Sequence, residues 1–366
     1  MPTLQKRTVP RWQSIKESLQ EEILKASFGQ TFYSLQEICR RYRVSQITAR
    51  RVLAELADED LIEKQNGRVS TIKKVPEKLT IQFVVASDFL PETFRQPCVM
   101  RTFAGVLQAA QEIGAEVDIL AEKYLGMQET LEHERTGFLL MGGNVQEETR
   151  ELLRTHRLPH IIFGPVGQPA VCAEADTRQG FFLATSHLLA LGHRVIGGVL
   201  VSHPDSFSRR FEGYADALRN EGMEPVRDLV KKTDGFCAEE DERAFQELMD
   251  LPHPPTAILA GTDYRAIHLL EYCCRRNIRV PEEISICGYD NIAEARRCVP
   301  PLTTVDTGRE KIGQQAVRLL AKMIAGPKRK CWKDILVQPE LVIRKSTGAV
   351  AAMPREVETV SGRAGR

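Results

Sequence analysis

The chain of 366 residues contains no apolar run long enough to span a bilayer, and its opening residues, Met1 to Trp12, lack the apolar segment of a secretory signal. The expectation from sequence is therefore a cytoplasmic protein without a membrane partner. Nine cysteines are present but no C-x-x-C pair, so neither a redox site nor a metal site is expected. Also missing are G-x-G-x-x-G, G-x-S-x-G and H-E-x-x-H, and no paired-carboxylate motif can be placed. These absences argue against an enzyme, a catalytic residue and a bound cofactor. Charge of one sign is scarce overall, since Lys and Arg exceed Asp and Glu by 50 to 49. That balance hides an asymmetry. Residues 1–75 carry 14 Lys and Arg against 9 Asp and Glu, +5, which leaves −4 for the remainder. A small cationic head is what contact with a polyanion requires.

What the head does contain is helical. Ile15, Leu19 and Ile23 recur every four residues, predicting a first helix over Arg11 to Ser27. Ser34-Leu35-Gln36-Glu37 is a capping-box pattern that opens a short second helix. A third runs from Val44 to Leu56, capped by Ser45, with Ala49, Val52, Leu53 and Leu56 facing inward. Outward it presents Gln46, Ile47, Thr48, Arg50 and Arg51, residue types that pair with base edges or grip phosphates. Gln65-Asn66-Gly67 between Leu61-Ile62-Glu63-Lys64 and Arg68-Val69-Ser70-Thr71-Ile72 signals a hairpin. Three helices and a hairpin describe a winged helix-turn-helix, whose wing would bring Lys64, Gly67 and Arg68 to the duplex. Arg40, Arg41 and Arg43 are either further phosphate contacts or solvated charges.

On Val44-Ser45, Thr48, Arg50, Leu53, Leu56, Leu61-Ile62-Glu63 and Gly67-Arg68, the head resembles the GntR family of bacterial transcription regulators. The resemblance implies DNA contacts at Gln46, Thr48, Arg50, Gly67 and Arg68. Gln46 and Val69 depart from the family pattern, so its sequence preference does not transfer.

A short linker follows at residues 76–79, and the texture then changes. Apolar runs such as TIQFVVA, GFLLM, HIIFG, VIGGVLV, TAILA and ISICGYD alternate with helical segments. The pattern predicts an α/β body over residues 80–346 with parallel sheets covered on both faces, divided into two lobes around a cleft. Ligands in such folds sit beyond the C-terminal strand ends.

Asp176-Thr177-Arg178-Gln179-Gly180, Leu191-Gly192-His193-Arg194, Arg210-Phe211-Glu212-Gly213-Tyr214, Gly288-Tyr289-Asp290 and Pro300-Pro301-Leu302-Thr303-Thr304-Val305 follow the LacI/GalR family in order and spacing. The body is thus similar to that family's effector domain, which has a periplasmic-binding-protein-like fold. The resemblance implies a small-molecule effector, most simply a saccharide, held by Arg210 and Asp290, with Thr262 and Asp263 at the same strand ends. Phe236 matches a position where a ring packs on a sugar face, although it can equally be core. Thr262 replaces an amide common among sugar-responsive members, which leaves the ligand's identity open. His193 reads as a structural histidine at a helix-to-strand turn. The partners expected are double-stranded operator DNA and a second copy of the chain. From Ser346 the sequence has no apolar period, and residues 347–366 are expected to be a disordered tail.

Overall fold

The computed structural model describes residues 10–24, 26, 30–63, 70–73, 79–85, 96–125, 135–141, 145–165, 170–233, 237–326 and 331–350. The chain divides into two compact units: a head of Met1–Thr80 together with Gly114–Glu116 and Glu132–Thr136, and a body formed by the rest.

In the head, α1 (Arg11–Leu24), α2 (Leu35–Tyr42) and α3 (Gln46–Asp58) precede a two-stranded antiparallel sheet of β1 (Ile62–Glu63) and β2 (Thr71–Ile72). The capping box is present, with Ser34 N–H donating to Glu37 Oε2 at 2.7 Å and Glu37 N–H to Ser34 Oγ at 3.3 Å. The tight turn into α3 begins at Arg43, which adopts the left-handed region and donates its N–H to the Cys39 carbonyl. Ile15, Leu19, Ile23, Ile38, Ala49, Val52 and Leu56 fuse the three helices, and Ile62 and Ile72 seat the sheet on them. That cluster is the apolar stripe expected from the four-residue periodicity.

The body contains two parallel sheets. The larger has the order β13-β7-β6-β5-β3-β4, formed by β3 (Thr80–Val85), β4 (Glu116–Ala121), β5 (Thr136–Met141), β6 (His160–Phe163), β7 (Cys172–Ala175) and β13 (Ile335–Val337). The smaller is β11-β10-β8-β9, from β8 (Ile196–Val201), β9 (Val230–Thr233), β10 (Ala257–Ala260) and β11 (Ser285–Cys287). A third pairing, β12 (Thr304–Asp306) with β14 (Glu340–Val342), is antiparallel. Helix α4 (Pro97–Ile113) packs against α10 (Arg309–Ala325) on the first lobe, where the Phe103 ring meets Phe83 of β3 in a tilted contact. Helix α6 (Thr177–Ala190) packs against α7 (Pro204–Asn220) on the second. The first lobe also carries α5 (Glu147–Thr155), and the second α8 (Ala238–Met249) and α9 (Asp263–Arg275).

Helix α7 starts at Pro204, because proline suits the first turn and its fixed φ favours the helix. The last two strands belong to different sheets, β13 joining β7 and β14 joining β12. One sequence expectation is corrected here: the chain is not loose from Ser346. The Ser346 hydroxyl donates to the Ile286 carbonyl at 2.6 Å and accepts from Thr303 N–H, Gly348 N–H donates to Ser285 Oγ, and Val350 N–H to the Leu191 carbonyl. Polar pairing holds this segment where apolar periodicity is absent, and residues 351–366 lie outside the described set. Among the described residues no helix is long and apolar enough to cross a membrane.

Candidate functional site

The DNA-facing candidates lie on α3. Ser45 accepts from Thr48 N–H at 3.3 Å, and the two hydroxyls are 3.1 Å apart, fixing the first turn. Gln46, Ile47 and Arg50 are exposed, whereas Ala49, Val52 and Leu56 on the opposite face are fully buried. Arg51 is exposed as well, but its guanidinium lies 4.0 Å from the centre of the Trp12 ring, so it is anchored on α1. Arg41 is similarly occupied, paired with Glu22 at 2.6 Å and stacked on Tyr33. Arg40 and Arg43 remain exposed beside the turn. The wing candidates Lys64, Gly67 and Arg68 lie outside the described residues.

In the body, the loop after β11 is the centre of convergence. Arg210, projecting from α7, has its guanidinium 5.5 Å from the centre of the Tyr289 ring and 5.6 Å from that of Phe181. Gly213 makes this placement possible, since a Cβ there would lie 2.1 Å from the Arg178 carbonyl oxygen on α6. Only glycine allows the two helices to approach so closely. Gly288 has the same function in the loop, where a Cβ would meet the Asp263 carboxylate at 2.2 Å. Beyond it Asp290 has φ 117°, a region that side chains rarely adopt and that costs on the order of 1–3 kcal/mol. Its carboxylate lies 3.9 Å from the Arg309 guanidinium, with 16% of the side chain exposed.

Burial pushes the Asp290 carboxyl up, opposed by Arg309, Arg210 and Arg101. Burial likewise lowers the Arg210 guanidinium, with Arg309 and Arg265 adding like-charge repulsion against the pull of Tyr289 and Asp290. The structure therefore brings two expected residues, Arg210 and Asp290, into one electrostatic neighbourhood.

Others of the expected set are placed differently. Asp263 is fully buried; its Oδ2 accepts from Ile292 N–H at 2.9 Å and its Oδ1 from the Thr304 hydroxyl. Both oxygens being engaged within the protein, it organises the Asp290 loop. Desolvation, and then the nearby Asp290 charge, raise its pKa to about 7. The Thr262 hydroxyl caps α9 by accepting from Arg265 N–H at 3.4 Å, which uses one of its acceptor sites, and the residue is buried. Phe236 lies outside the described residues. His193 is structural, its ring nitrogens within hydrogen-bond reach of Thr256 and Ser285 hydroxyls and the Gly348 carbonyl.

Sequence reasoning missed the bridge between the lobes. Arg101 on α4 donates from Nε and Nη2 to both oxygens of Glu310 at 2.7 Å, and from Nη2 to Asp306 at 3.1 Å. Its Nη1 reaches across to the Asp290 carbonyl at 2.7 Å. Arg209 of α7 pairs with Glu174 of β7 as a second crossing. Asn291, held by Asp306 and Arg344, completes the network. Asp306, Arg309 and Glu310 directly follow the Pro300–Val305 motif, so extending it would have reached them. Arg101 is 189 residues from its carbonyl partner, and no local pattern marks it. Among the described residues no group of three His, Cys, Asp or Glu side chains could hold a metal ion.

A helix-turn-helix head followed by a two-lobed α/β body of periplasmic-binding-protein-like fold is the class these observations define, and comparison with known proteins agrees. Residues 185–347 match the periplasmic binding protein-like domain, and residues 20–75 match the DeoR-like helix-turn-helix domain. The head thus matches a DeoR-like domain in place of the GntR type that the sequence resemblance implied. The chain is 31% identical over 219 residues to the transcriptional repressor PurR of Mannheimia succiniciproducens, an alignment covering 59% of this chain and 65% of that one. It is 32% identical over 220 residues to the transcriptional repressor CytR of Escherichia coli K12, covering 58% and 63%. The chain therefore spans just under two thirds of these relatives, which are repressors by name, not enzymes. Among solved structures, the regulator CelR in its cellobiose complex superposes with a TM-score of 0.65, covering 83% of this chain and 92% of that one at 24% identity, a likeness of fold.

Proposed function

We propose that this protein is a ligand-responsive, DNA-binding transcription regulator, acting as a repressor in the cytoplasm and catalysing no reaction. The head reads double-stranded operator DNA through Ser45, Gln46, Thr48 and Arg50, with Arg51 steadied on Trp12 and the wing residues Lys64, Gly67 and Arg68 alongside. The body takes a small molecule, a saccharide, in the cleft at Arg210 and Asp290. The single observation that carries the sensor reading is the meeting of Arg210, Tyr289, Asp290 and Arg309 beside the inter-lobe bridge of Arg101. Donor fork and carboxylate together suit vicinal hydroxyls. Two chains pair through the body, so that two heads meet a pseudo-palindromic site. In this reading a DeoR-like helix-turn-helix reader is joined to a periplasmic-binding-protein-like sensor.

Ligand can change DNA affinity only by as much as it binds one lobe arrangement better than the other. Arg101 joins the lobes through the carbonyl of the same residue whose carboxylate faces the ligand, which gives a physical route for that difference. Titration calorimetry with a panel of neutral saccharides tests the sensor: heat without turnover, lost in Arg210→Ala, supports it, and turnover or silence across the panel rejects it. For the reader, duplexes enriched from a random pool by the full-length protein should bind Arg50→Ala about tenfold or more weakly. Unchanged affinity would remove Arg50 from the interface.

A further inference from the structure

Ile47 is 82% exposed, whereas its neighbours two and five positions along, Ala49 and Val52, are fully buried. Single exposed apolar side chains are ordinary, so exposure alone decides nothing. Its surroundings decide more. Ile47 lies in the first turn of the Ser45-capped helix, beside exposed Gln46 and three residues before exposed Arg50, which places Ile47 and Arg50 on one side. Exposed Arg40 and Arg43 flank the turn into that helix, so the nearest charges suit a polyanion. A helix-turn-helix presents the N-terminal end of its second helix to base edges. Within the major groove only one base feature is apolar, the C5 methyl of thymine. A β-branched side chain has few rotamers to lose on meeting it.

We propose that Ile47 is a specificity-determining residue that packs on a thymine methyl, so that the operator half-site contains a thymine at the position this side chain reaches. The inference rests on the head reading DNA, and it adds an apolar contact to the polar ones of Gln46 and Arg50. Such a contact discriminates thymine from cytosine without a hydrogen bond, which the polar residues of this helix cannot do through the methyl.

The test uses the full-length protein and duplexes enriched by it from a random pool. Each thymine of the consensus is replaced in turn by deoxyuridine, which removes the methyl and nothing else. At one thymine per half-site the replacement should weaken binding about fourfold, the equivalent of ~0.8 kcal/mol for one buried methyl. Ile47→Ala should weaken binding to the unmodified duplex and abolish the sensitivity at that thymine alone. Because the buried face of α3 does not include Ile47, the melting temperature should be unchanged. If Arg50→Ala loses affinity while Ile47→Ala remains sensitive at every thymine, the methyl contact is wrong and the DNA-reading head stands. If no sequence is enriched, or neither variant alters binding, both fail together.

Discussion

Helix α3 and the inter-lobe network are built by opposite means. In α3 every part that matters lies within 13 residues: cap, buried stripe and exposed face follow from one period and one hydroxyl. In the inter-lobe network, α4 contributes Arg101, α7 Arg209 and Arg210, the loop after β11 Asp290 and the start of α10 Arg309 and Glu310, and the pieces meet only because helices cross at glycine. The first arrangement tolerates change locally. The second transmits any misplacement through the whole lobe.

The strongest way to test that contrast is Gly213→Val. With a Cβ forced to 2.1 Å from the Arg178 carbonyl oxygen, α6 and α7 must separate, and Arg210 leaves the Tyr289 ring. Overpacking against backbone should cost more than about 4 kcal/mol, enough to remove the body's cooperative thermal transition in calorimetry. A body melting within a degree of the parent would show that the close crossing is dispensable. Arg101→Ala should have a smaller effect. It takes the arginine from Glu310 and from Asp306, which keeps Asn291 Nδ2–H and Gly308 N–H as donors, and it frees the Asp290 carbonyl, but the side chain is about one fifth exposed, so water compensates in part. A loss of about 1–3 kcal/mol, or roughly 2–4 °C in melting temperature per kcal/mol, is expected for a unit of this size. No shift would mean that the bridge contributes nothing in solution.

What the sequence made legible follows the same division. The capping box at Ser34, the Ser45 cap and the Ile15-Leu19-Ile23 stripe were readable because their partners lie within one turn or two. The runs VIGGVLV and TAILA announced buried parallel strands. Strands β7 (Cys172–Ala175) and β9 (Val230–Thr233) did not, since Glu174, Lys231 and Lys232 break the apolar pattern and what makes them strands is their neighbours. Arg210 and Asp290 were reached through motif order, not through periodicity. Asp263 was grouped with them for the same reason, and its two oxygens are engaged by Ile292 N–H and the Thr304 hydroxyl, because motif order reports proximity and not the partners of a carboxylate. Ser346 to Val350 looked structureless because what holds it is hydroxyl and backbone pairing.

Asp263→Asn separates those two kinds of proximity. In the native state the carboxyl holds its proton up to about pH 7, whereas in the unfolded chain it releases it near its ordinary value of about 3.9. Between these limits the native state binds more protons than the unfolded one, so this group's contribution to stability is greatest at low pH and declines as pH rises through that window. Replacement by Asn should flatten the decline in denaturant melts taken from pH 4 to 7. It should also cost about 1–3 kcal/mol at pH 5, since one of the two donors, Thr304 Oγ1–H or Ile292 N–H, then meets an amide NH2. If the variant and the parent share one pH profile, Asp263 is not the titrating group.

The smallest expected effect belongs to α3, and it is the sharpest test of the locality of that helix. Ser45→Ala removes the acceptor for Thr48 N–H and the hydroxyl that steadies Thr48 Oγ1, while leaving Ala49, Val52 and Leu56 in place. A lost N-cap costs about 1 kcal/mol, and here it should appear as a lower melting temperature of the head with the body's transition unmoved. DNA affinity should fall by more than that loss of stability implies, because the frayed turn is the one that presents Gln46 and Ile47. Hydrogen exchange of the amides from Ile47 to Arg50 reports the fraying directly. Amides as protected as in the parent, together with a parent-like affinity, would mean that α3 owes its first turn to packing against α1 and α2, and that the helix is less local than its sequence implies.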